Sequence, residues 1–291
     1  MRIDAHQHFW RLADRAGQWP PPELAAIHRD FGPSDLEPLL RECGVAETVL
    51  VQSLPSVADT RFLLDLADRH PFIAAVVGWV DLKAHDAVAQ IAELAGNPRL
   101  KGLRPMLQDL PDDRWIDDPA LDTAVDAMLR HELVFDALVL PRHLGALARF
   151  ASRHPTLPVV VDHAAKPPIA TGDLDRWRTD IASLALLPQV SCKLSGLLTE
   201  ARDRCRADDL EPVVAHVLQQ FGARRVIWGS DWPVLRLAGD CAAWLRLSES
   251  LCTTVLAATI ASPTDLADSL ADIFGVNAQR FYRLASTPRR S

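Results

Sequence analysis

The chain has 291 residues, of which 48% are hydrophobic, and its formal net charge is −7 at pH 7. That length and apolar content suffice for one large buried core, and the acidic balance disfavours nucleic acid or an anionic membrane surface as a partner. We see no apolar run of the roughly 20 residues that a membrane helix needs, and no basic-then-apolar signal segment. Five cysteines without a CxxC spacing are typical of free thiols, so we expect a cytoplasmic protein.

Strand-like and helix-like runs alternate along the chain. The first strand is expected within 3–10, and a capped helix starts at Ser34 and ends near Gly44. Further strands are predicted at 47–53, 72–79, 100–104, 133–140, 158–163, 190–195 and 225–231. Further helices are predicted at 59–70, 84–95, 119–131, 142–152, 173–186, 208–221, 264–274 and 277–284.

This alternation predicts right-handed βαβ units and a parallel sheet. The strands are rich in Val, Ile and Leu, as is typical of strands buried on both faces. The length also suits a (β/α)8 barrel, which commonly takes about 250 residues as one domain. An open doubly wound sheet is disfavoured because no glycine-rich phosphate loop follows the first strand. We therefore predict an α/β fold, a single (β/α)8 TIM-type barrel domain over residues 1–291.

Three predicted strands carry or end in polar residues with catalytic chemistry. His6 and His8 alternate in the first strand and so share a face, where two imidazoles can hold a metal ion or a polar substrate. Asp231 ends an apolar strand, where it could activate a water, bind a metal or cap the next segment. His163 ends another strand, and strand parity turns it inward while Asp162 points the other way. Since strand ends meet at one barrel mouth, we predict His163 and Asp231 as catalytic, and His6, His8 and Asp231 as metal ligands.

Eight further side chains are candidate substrate ligands. Lys101 and Arg104 have opposite parities at the end of the fourth strand, and Arg104 is favoured to face an anionic or polyhydroxylated substrate, or an oxyanion. Lys193 lies within an apolar strand and must find a partner, in the site or in a buried ion pair. Gln52 ends the second strand and could bond a substrate hydroxyl. Four tryptophans could stack on sugar C–H surfaces or simply pack in the core: Trp10, Trp79, Trp115 and Trp232.

Two common hydrolytic arrangements are missing from the sequence. It contains neither the GxSxG elbow of the usual serine hydrolase nor a CxxC zinc cage. The fifth predicted strand ends in neither His nor Lys, and its Asp136 lies in mid-strand. A two-metal site bridged by a modified lysine would need such residues, so the sequence predicts one metal ion at most.

Six motifs, in this order, span essentially the whole chain: HQHFW at 6–10, KGLRPMLQ at 101–108, DHAAKP at 162–167, CKLSG at 192–196, WGSDWP at 228–233 and NAQRFY at 277–282. Together they resemble one branch of the amidohydrolase superfamily. That branch includes L-fuconolactonase-like and L-rhamnonolactonase-like sugar lactonases, 4-sulfomuconolactonase and 2-pyrone-4,6-dicarboxylate lactonase. The motifs are specific for the branch and leave the substrate open.

The resemblance implies a distorted (β/α)8 barrel that hydrolyses a lactone. His6 and His8 match the first-strand pair of the branch, His163 matches its sixth-strand histidine, and Asp231 matches its eighth-strand aspartate. Members work with zinc or without a required ion, so the resemblance implies either one divalent ion, with Zn²⁺ the first choice, or no metal. The missing fifth-strand ligand argues against the two-metal mechanism of the binuclear members.

We expect hydrolysis of a small sugar lactone of the L-fucono- or L-rhamnono-lactone kind. Asp231 would activate a water to attack the carbonyl, while the three histidines and Arg104 stabilise the oxyanion. The alternatives are a metal-dependent amidohydrolase or decarboxylase acting on a carboxylated or aromatic substrate, and a catalytically silent sugar-binding barrel. Loops 8–35 and 105–118 are expected to set specificity. The oligomeric state, a homo-oligomer included, stays open.

Overall fold

Eight parallel strands form one sheet in which each strand pairs with its neighbours in sequence. The structure, a computed structural model, describes residues 1–285, so the last six residues of the predicted domain lie outside the described residues. The strands are β1 (Arg2–Gln7), β2 (Val45–Val51), β3 (Ile73–Gly78), β4 (Leu100–Leu103), β5 (Val134–Ala137), β6 (Val159–Val161), β7 (Val190–Leu194) and β8 (Val226–Trp228). This order confirms the predicted (β/α)8 barrel.

Helices connect the strands and cover the outside of the sheet. They are α1 (Pro33–Cys43), α2 (Val57–Arg69), α3 (Ala87–Ala95), α4 (Asp122–Arg130), α5 (Leu144–Arg153), α6 (Asp175–Ala185), α7 (Leu197–Ala201), α8 (Ala207–Phe221), α9 (Cys241–Ala257), α10 (Pro263–Ala271) and α11 (Asn277–Phe281). A π-helical turn, Asp272–Val276, joins the last two. Within residues 1–285, none of the helices has both the length and the apolar character needed to cross a bilayer.

Two helices were not predicted from the sequence. The longest one, α9, begins at the Asp240 cap, whose side chain accepts a hydrogen bond from the Ala243 amide at 2.8 Å. Its sequence contains Ser, Thr, Val and Cys among its leucines, and these four residue types have lower helix propensity than leucine. The short α7 follows β7 after only two residues, Ser195 and Gly196, and has five residues itself. Tertiary packing therefore decides both helices more than local propensity does.

The interior of the barrel is filled by small aliphatic side chains. Ile3, Val49, Ala75, Val134, Val160 and Ile227 belong to one buried cluster. Ala278 and Tyr282, in and just after α11, belong to the same cluster, so the C-terminal segment packs against the inside of the barrel. A second, larger cluster lies between the sheet and the surrounding helices. The barrel is thus a packed core, and its ligand site must lie at an end.

Backbone hydrogen bonds between the end of β1 and the segment after β8 close the barrel. The Asp231 amide donates to the His6 carbonyl at 2.8 Å, and the His8 amide donates to the Trp232 carbonyl at 2.7 Å. Gly229 makes this approach possible, because a Cβ there would lie 2.7 Å from His6 Cβ and 3.0 Å from the His6 backbone nitrogen. Closure therefore places the carboxylate segment directly beside the histidine pair.

We expect Gly229→Ala to lower the free energy of unfolding by about 1–3 kcal/mol, because the added methyl group overpacks a backbone contact that cannot move aside. Urea denaturation would measure the change. The control is Gly145→Ala in α5, where the new Cβ would lie 3.7 Å from Arg149 Nη1, an ordinary contact. That variant should gain up to about 1 kcal/mol, since alanine favours helix over glycine. Equal stability of the two variants would contradict the close approach.

Candidate active site

Three histidine rings surround one oxygen of Asp231 at the barrel mouth. Asp231 Oδ1 lies 3.3 Å from His8 Nε2, 3.7 Å from His6 Nε2 and 3.9 Å from His163 Nε2. All four side chains are buried. The His6 ring also packs edge-on against the His8 ring, at a centroid distance of 4.9 Å, and against the His163 ring at 4.5 Å. The structure therefore brings together all the residues predicted as catalytic or metal-binding.

A left-handed turn after β6 sets the position of His163. Residues 163–166 have φ between 51° and 60°, a conformation that is costly for residues other than glycine and that clusters at functional sites. Ser195 Oγ lies 2.9 Å from His163 Nδ1. Gly196, at φ 64°, packs against the same ring, since a Cβ there would lie 2.5 Å from His163 Nδ1. The turn and the end of β7 together hold this imidazole in place.

Asp162 points into the site, contrary to the prediction from strand parity. Val160 faces the barrel interior, and Asp162 has the same parity, so the face assigned to the interior was the wrong one. His163 reaches the site because its positive φ breaks the alternation. Asp162 Oδ2 accepts from Arg104 Nη1 at 3.2 Å, and its Oδ1 lies 3.4 Å from His6 Nδ1. Asp162 is fully buried and supports the histidine cluster from below.

A fully buried network of charges lies beneath His6. Lys193 Nζ is 2.6 Å from Asp136 Oδ2, 3.0 Å from Asp162 Oδ1 and 3.1 Å from His6 Nδ1. The Tyr282 hydroxyl donates to Asp136 Oδ2 at 2.7 Å. Of the two readings of Lys193, the structure therefore shows the buried ion pair, and this pair also contacts a site histidine. Together with Arg104, Lys193 balances the two carboxylates inside the barrel.

The three imidazoles are neutral near pH 7. Burial lowers the pKa of His163 to about 4, and burial likewise lowers the pKa values of His6 and His8. Burial alone would raise the pKa of Asp231, but its electrostatic interactions with the surrounding imidazoles, His163 first, hold it below its usual range. The site thus combines an ionised carboxylate with imidazole nitrogens that can donate, accept or ligate.

The proton position on His8 follows from its partner. His8 Nδ1 lies 2.7 Å from the Val51 carbonyl oxygen, which can only accept a hydrogen bond. His8 Nδ1 therefore carries the proton, and Nε2 has a lone pair directed toward Asp231. Such an outer hydrogen bond is the usual support of a metal-binding or catalytic histidine.

The donor set of the cluster suits a single divalent ion. One ligand atom from each of His6, His163 and Asp231 lies within 4.8 Å of the other two. Two imidazole nitrogens and one carboxylate oxygen are ligands that Zn²⁺ accepts, and three protein ligands leave a position for water or substrate. The predicted set was His6, His8 and Asp231; this grouping includes His163 in place of His8.

A pocket of about 310 Å³ opens above the cluster. His8, Arg104, His163 and Asp231 reach its surface. The loops expected to set specificity contribute to its wall, through Trp19 on one side and Met106, Gln108 and Asp109 on the other. The lining residues that were not predicted include Lys166, Thr199 and Glu200. Lys166 was within reach of sequence reasoning because it lies in the DHAAKP motif, whereas Glu200 lies beyond the CKLSG motif.

The other predicted substrate ligands lie elsewhere. Gln52 is buried, and its Nε2 donates to the Arg104 carbonyl at 2.7 Å, beside the pocket. Trp10 donates to the Arg29 carbonyl at 2.8 Å, and Trp232 packs edge-on against Phe31. The remaining three do not line the pocket: Lys101 on β4, Trp79 beside α2, and Trp115 against Lys83. A substrate contact for any of these six residues stays a prediction.

We expect Lys193→Met to destabilise the protein by about 3–5 kcal/mol, because it leaves Asp136 buried without a cation and Asp162 with Arg104 alone. Denaturation in urea would give the value. The control is Lys83→Met, which removes a surface ion pair with Asp118 at 2.7 Å, where the lysine side chain is 25% exposed. That loss should stay within about 1 kcal/mol. A similar small loss for both variants would mean that the buried network is not needed for folding.

Comparison with known proteins agrees with these motifs. The family model described as Amidohydrolase matches residues 3–284. The chain is 58% identical to an L-fucono-1,5-lactonase of Burkholderia ambifaria over 286 residues, which is 97% of this chain and 96% of that protein. It is 40% identical to an L-fucono-1,5-lactonase of Burkholderia multivorans, over 82% of this chain and 84% of that one. A Burkholderia multivorans amidohydrolase crystallised with bound zinc superposes with a TM-score of 0.86 at 37% identity, covering 98% of this chain and 100% of that chain. The resemblance seen in the sequence is confirmed: this chain belongs to the amidohydrolase family.

Proposed function

We propose that this protein hydrolyses a small sugar lactone of the L-fucono-1,5-lactone kind. The observation that carries the proposal is the ionised Asp231 carboxylate among three neutral imidazoles, at the base of a pocket of about 310 Å³. The match to the Burkholderia ambifaria L-fucono-1,5-lactonase, 58% identical over 286 residues, supports the choice of substrate class. The reaction adds one water and opens the ring to a hydroxy acid.

Asp231 acts as the general base in the proposed mechanism. Its carboxylate takes a proton from a water, whose oxygen then forms a bond to the lactone carbonyl carbon. The His8 ring, which is held by the hydrogen bond from its Nδ1–H to the Val51 carbonyl, packs against this carboxylate at 3.3 Å. The ring carbon–oxygen bond then breaks, and Asp231 returns its proton to the departing ring oxygen.

Hydrogen-bond donors stabilise the negative charge on the carbonyl oxygen. The Ser195 hydroxyl can donate to His163 Nδ1, 2.9 Å away, which leaves the His163 Nε2–H free to donate into the pocket. Arg104 lines the same pocket and is held by Asp162. Loss of one such preorganised donor typically costs about 10²–10³ in turnover.

We also propose that His6, His163 and Asp231 hold one Zn²⁺ ion. When bound, zinc would polarise the carbonyl oxygen and lower the pKa of a bound water. The support is the donor geometry described above and the zinc in the related Burkholderia multivorans structure. With zinc bound, His163 Nε2 would be a ligand and its proton would lie on Nδ1, which would donate to Ser195 Oγ; the donor role of Nε2 belongs to the metal-free site. A cytoplasmic location and the oligomeric state stay predictions.

Replacement of Asp231 by Asn should reduce kcat for lactone hydrolysis by about 10²–10⁴, the usual contribution of a general base. The reaction can be followed by acid release in a pH-indicator assay on a panel of sugar lactones, with CO₂ release monitored as the signature of a decarboxylase. The matched control is Asp175→Asn, an exposed aspartate at the start of α6, which should retain full turnover. Near-normal turnover of Asp231→Asn, with its fold intact, would exclude Asp231 as the base.

Metal content provides a separate test of the zinc proposal. Purified protein loaded with Zn²⁺ and then desalted should retain one ion per chain by elemental analysis. His163→Asn should weaken retention at least about tenfold, because zinc sites depend on each protein ligand. His8→Asn should weaken it less, since His8 lies outside the group of three close ligand atoms. Equal loss in the two variants, or no zinc in the unaltered protein, would refute this ligand set.

A further inference from the structure

The pocket wall carries an acid–base pair that the proposed mechanism does not use. Lys166 Nζ lies 3.8 Å from Glu200 Oε1, and both residues line the pocket. Their side chains are 23% and 29% exposed, so both are half-buried in the wall yet remain accessible from the pocket. Burial raises the pKa of Glu200, and Lys166 opposes that effect.

The segments that position His163 also position this pair. Lys166 is the last residue of the left-handed turn that starts at His163, and it has a φ of 52°. Glu200 lies on α7, which begins directly after Gly196. Thr199 Oγ1 donates to the Gly196 carbonyl at 2.8 Å, within the first turn of this short helix. A substrate gripped by the pair would therefore be held in a defined place relative to His163.

The spacing of the pair suits a hydroxyl group. At 3.8 Å the ammonium and the carboxylate are farther apart than in a direct hydrogen bond. A hydroxyl can accept from Lys166 and donate to Glu200 at once, since it has both functions. A carboxylate on the substrate could use Lys166 only, and Glu200 would repel it. An apolar ring would leave both charged groups facing it without a partner.

The charges around the pocket favour the same class of substrate. Its lining has two cations, Arg104 and Lys166, against three carboxylates, Asp109, Glu200 and Asp231. The positive charge of Arg104 is also offset by its ion pair with Asp162 at 3.2 Å. A lactone with several negative charges would thus enter a pocket without surplus positive charge.

We propose that Lys166 and Glu200 are the specificity-determining residues that bind the hydroxyls of a neutral, polyhydroxylated lactone and select against carboxylated lactones. This inference rests on the proposed lactonase function. Hydrogen bonds to charged groups contribute enough to separate a substrate that has the hydroxyl from one that lacks it by about ten- to a hundredfold.

The experiment compares L-fucono-1,5-lactone with δ-valerolactone, which has the same ring size and no hydroxyls. We expect Glu200→Ala and Lys166→Met each to lower the kcat/KM for L-fucono-1,5-lactone, divided by that for δ-valerolactone, by about ten- to a hundredfold. Glu211→Ala, on the exposed face of α8, is the control and should leave the ratio as it is. A purely structural role for the pair would lower both kcat/KM values together, keep the ratio constant and overturn the inference.

A charge-specific readout uses Glu200→Gln, which keeps the side-chain size. With Glu200 neutralised, Lys166 becomes available to an anion, so kcat/KM for a lactone bearing a carboxylate should rise several-fold while that for L-fucono-1,5-lactone falls. No rise would overturn the proposed selection against carboxylates. If the unaltered protein hydrolyses neither neutral lactone, the proposed function fails and the inference falls with it. If it hydrolyses them and the ratio is unmoved by the variants, only the inference fails.

Discussion

The site depends on the closure of the barrel between its first and last strands. Two backbone hydrogen bonds, from the Asp231 amide to the His6 carbonyl and from the His8 amide to the Trp232 carbonyl, measure 2.8 and 2.7 Å. They join segments more than two hundred residues apart in the chain and set the carboxylate among the imidazoles. Because parallel strands place all their C-terminal ends at one rim, this closure also determines where a substrate can approach.

The charges inside the barrel follow from that geometry. Lys193 and Arg104 balance the charges of Asp136 and Asp162 just beneath the imidazole cluster. Burial keeps the histidines uncharged, so their nitrogens are available to donate, accept or ligate. The same network extends to Tyr282 near the C-terminal end of the described chain, so the end of the chain contributes to the support of a site at the opposite end of the barrel.

Much of the candidate site could be predicted from the sequence. Apolar runs ending in His163 and Asp231, and the alternation of His6 and His8, indicate barrel-mouth residues as soon as a parallel barrel is expected. Asp162 was misplaced because the parity of His163 was taken for that of the interior, whereas Val160 and Asp162 face inward and His163 enters the site through its positive φ. The tryptophans were harder to predict, because tryptophan is common both in hydrophobic cores and in binding sites. Trp10 and Trp232 are buried in packing contacts.

The sequence by itself determined the strand order, the barrel and the chemical identity of the central cluster. Hydrophobic periodicity and short motifs are local properties, and the rules for parallel sheets convert them into a shared rim. Tertiary structure alone decided which side chains meet across that rim. It paired Lys166 with Glu200, grouped His163 with His6 and Asp231, and turned Asp162 inward. These contacts join segments far apart in the chain through backbone turns and close packing, and no local pattern of residues encodes such distances.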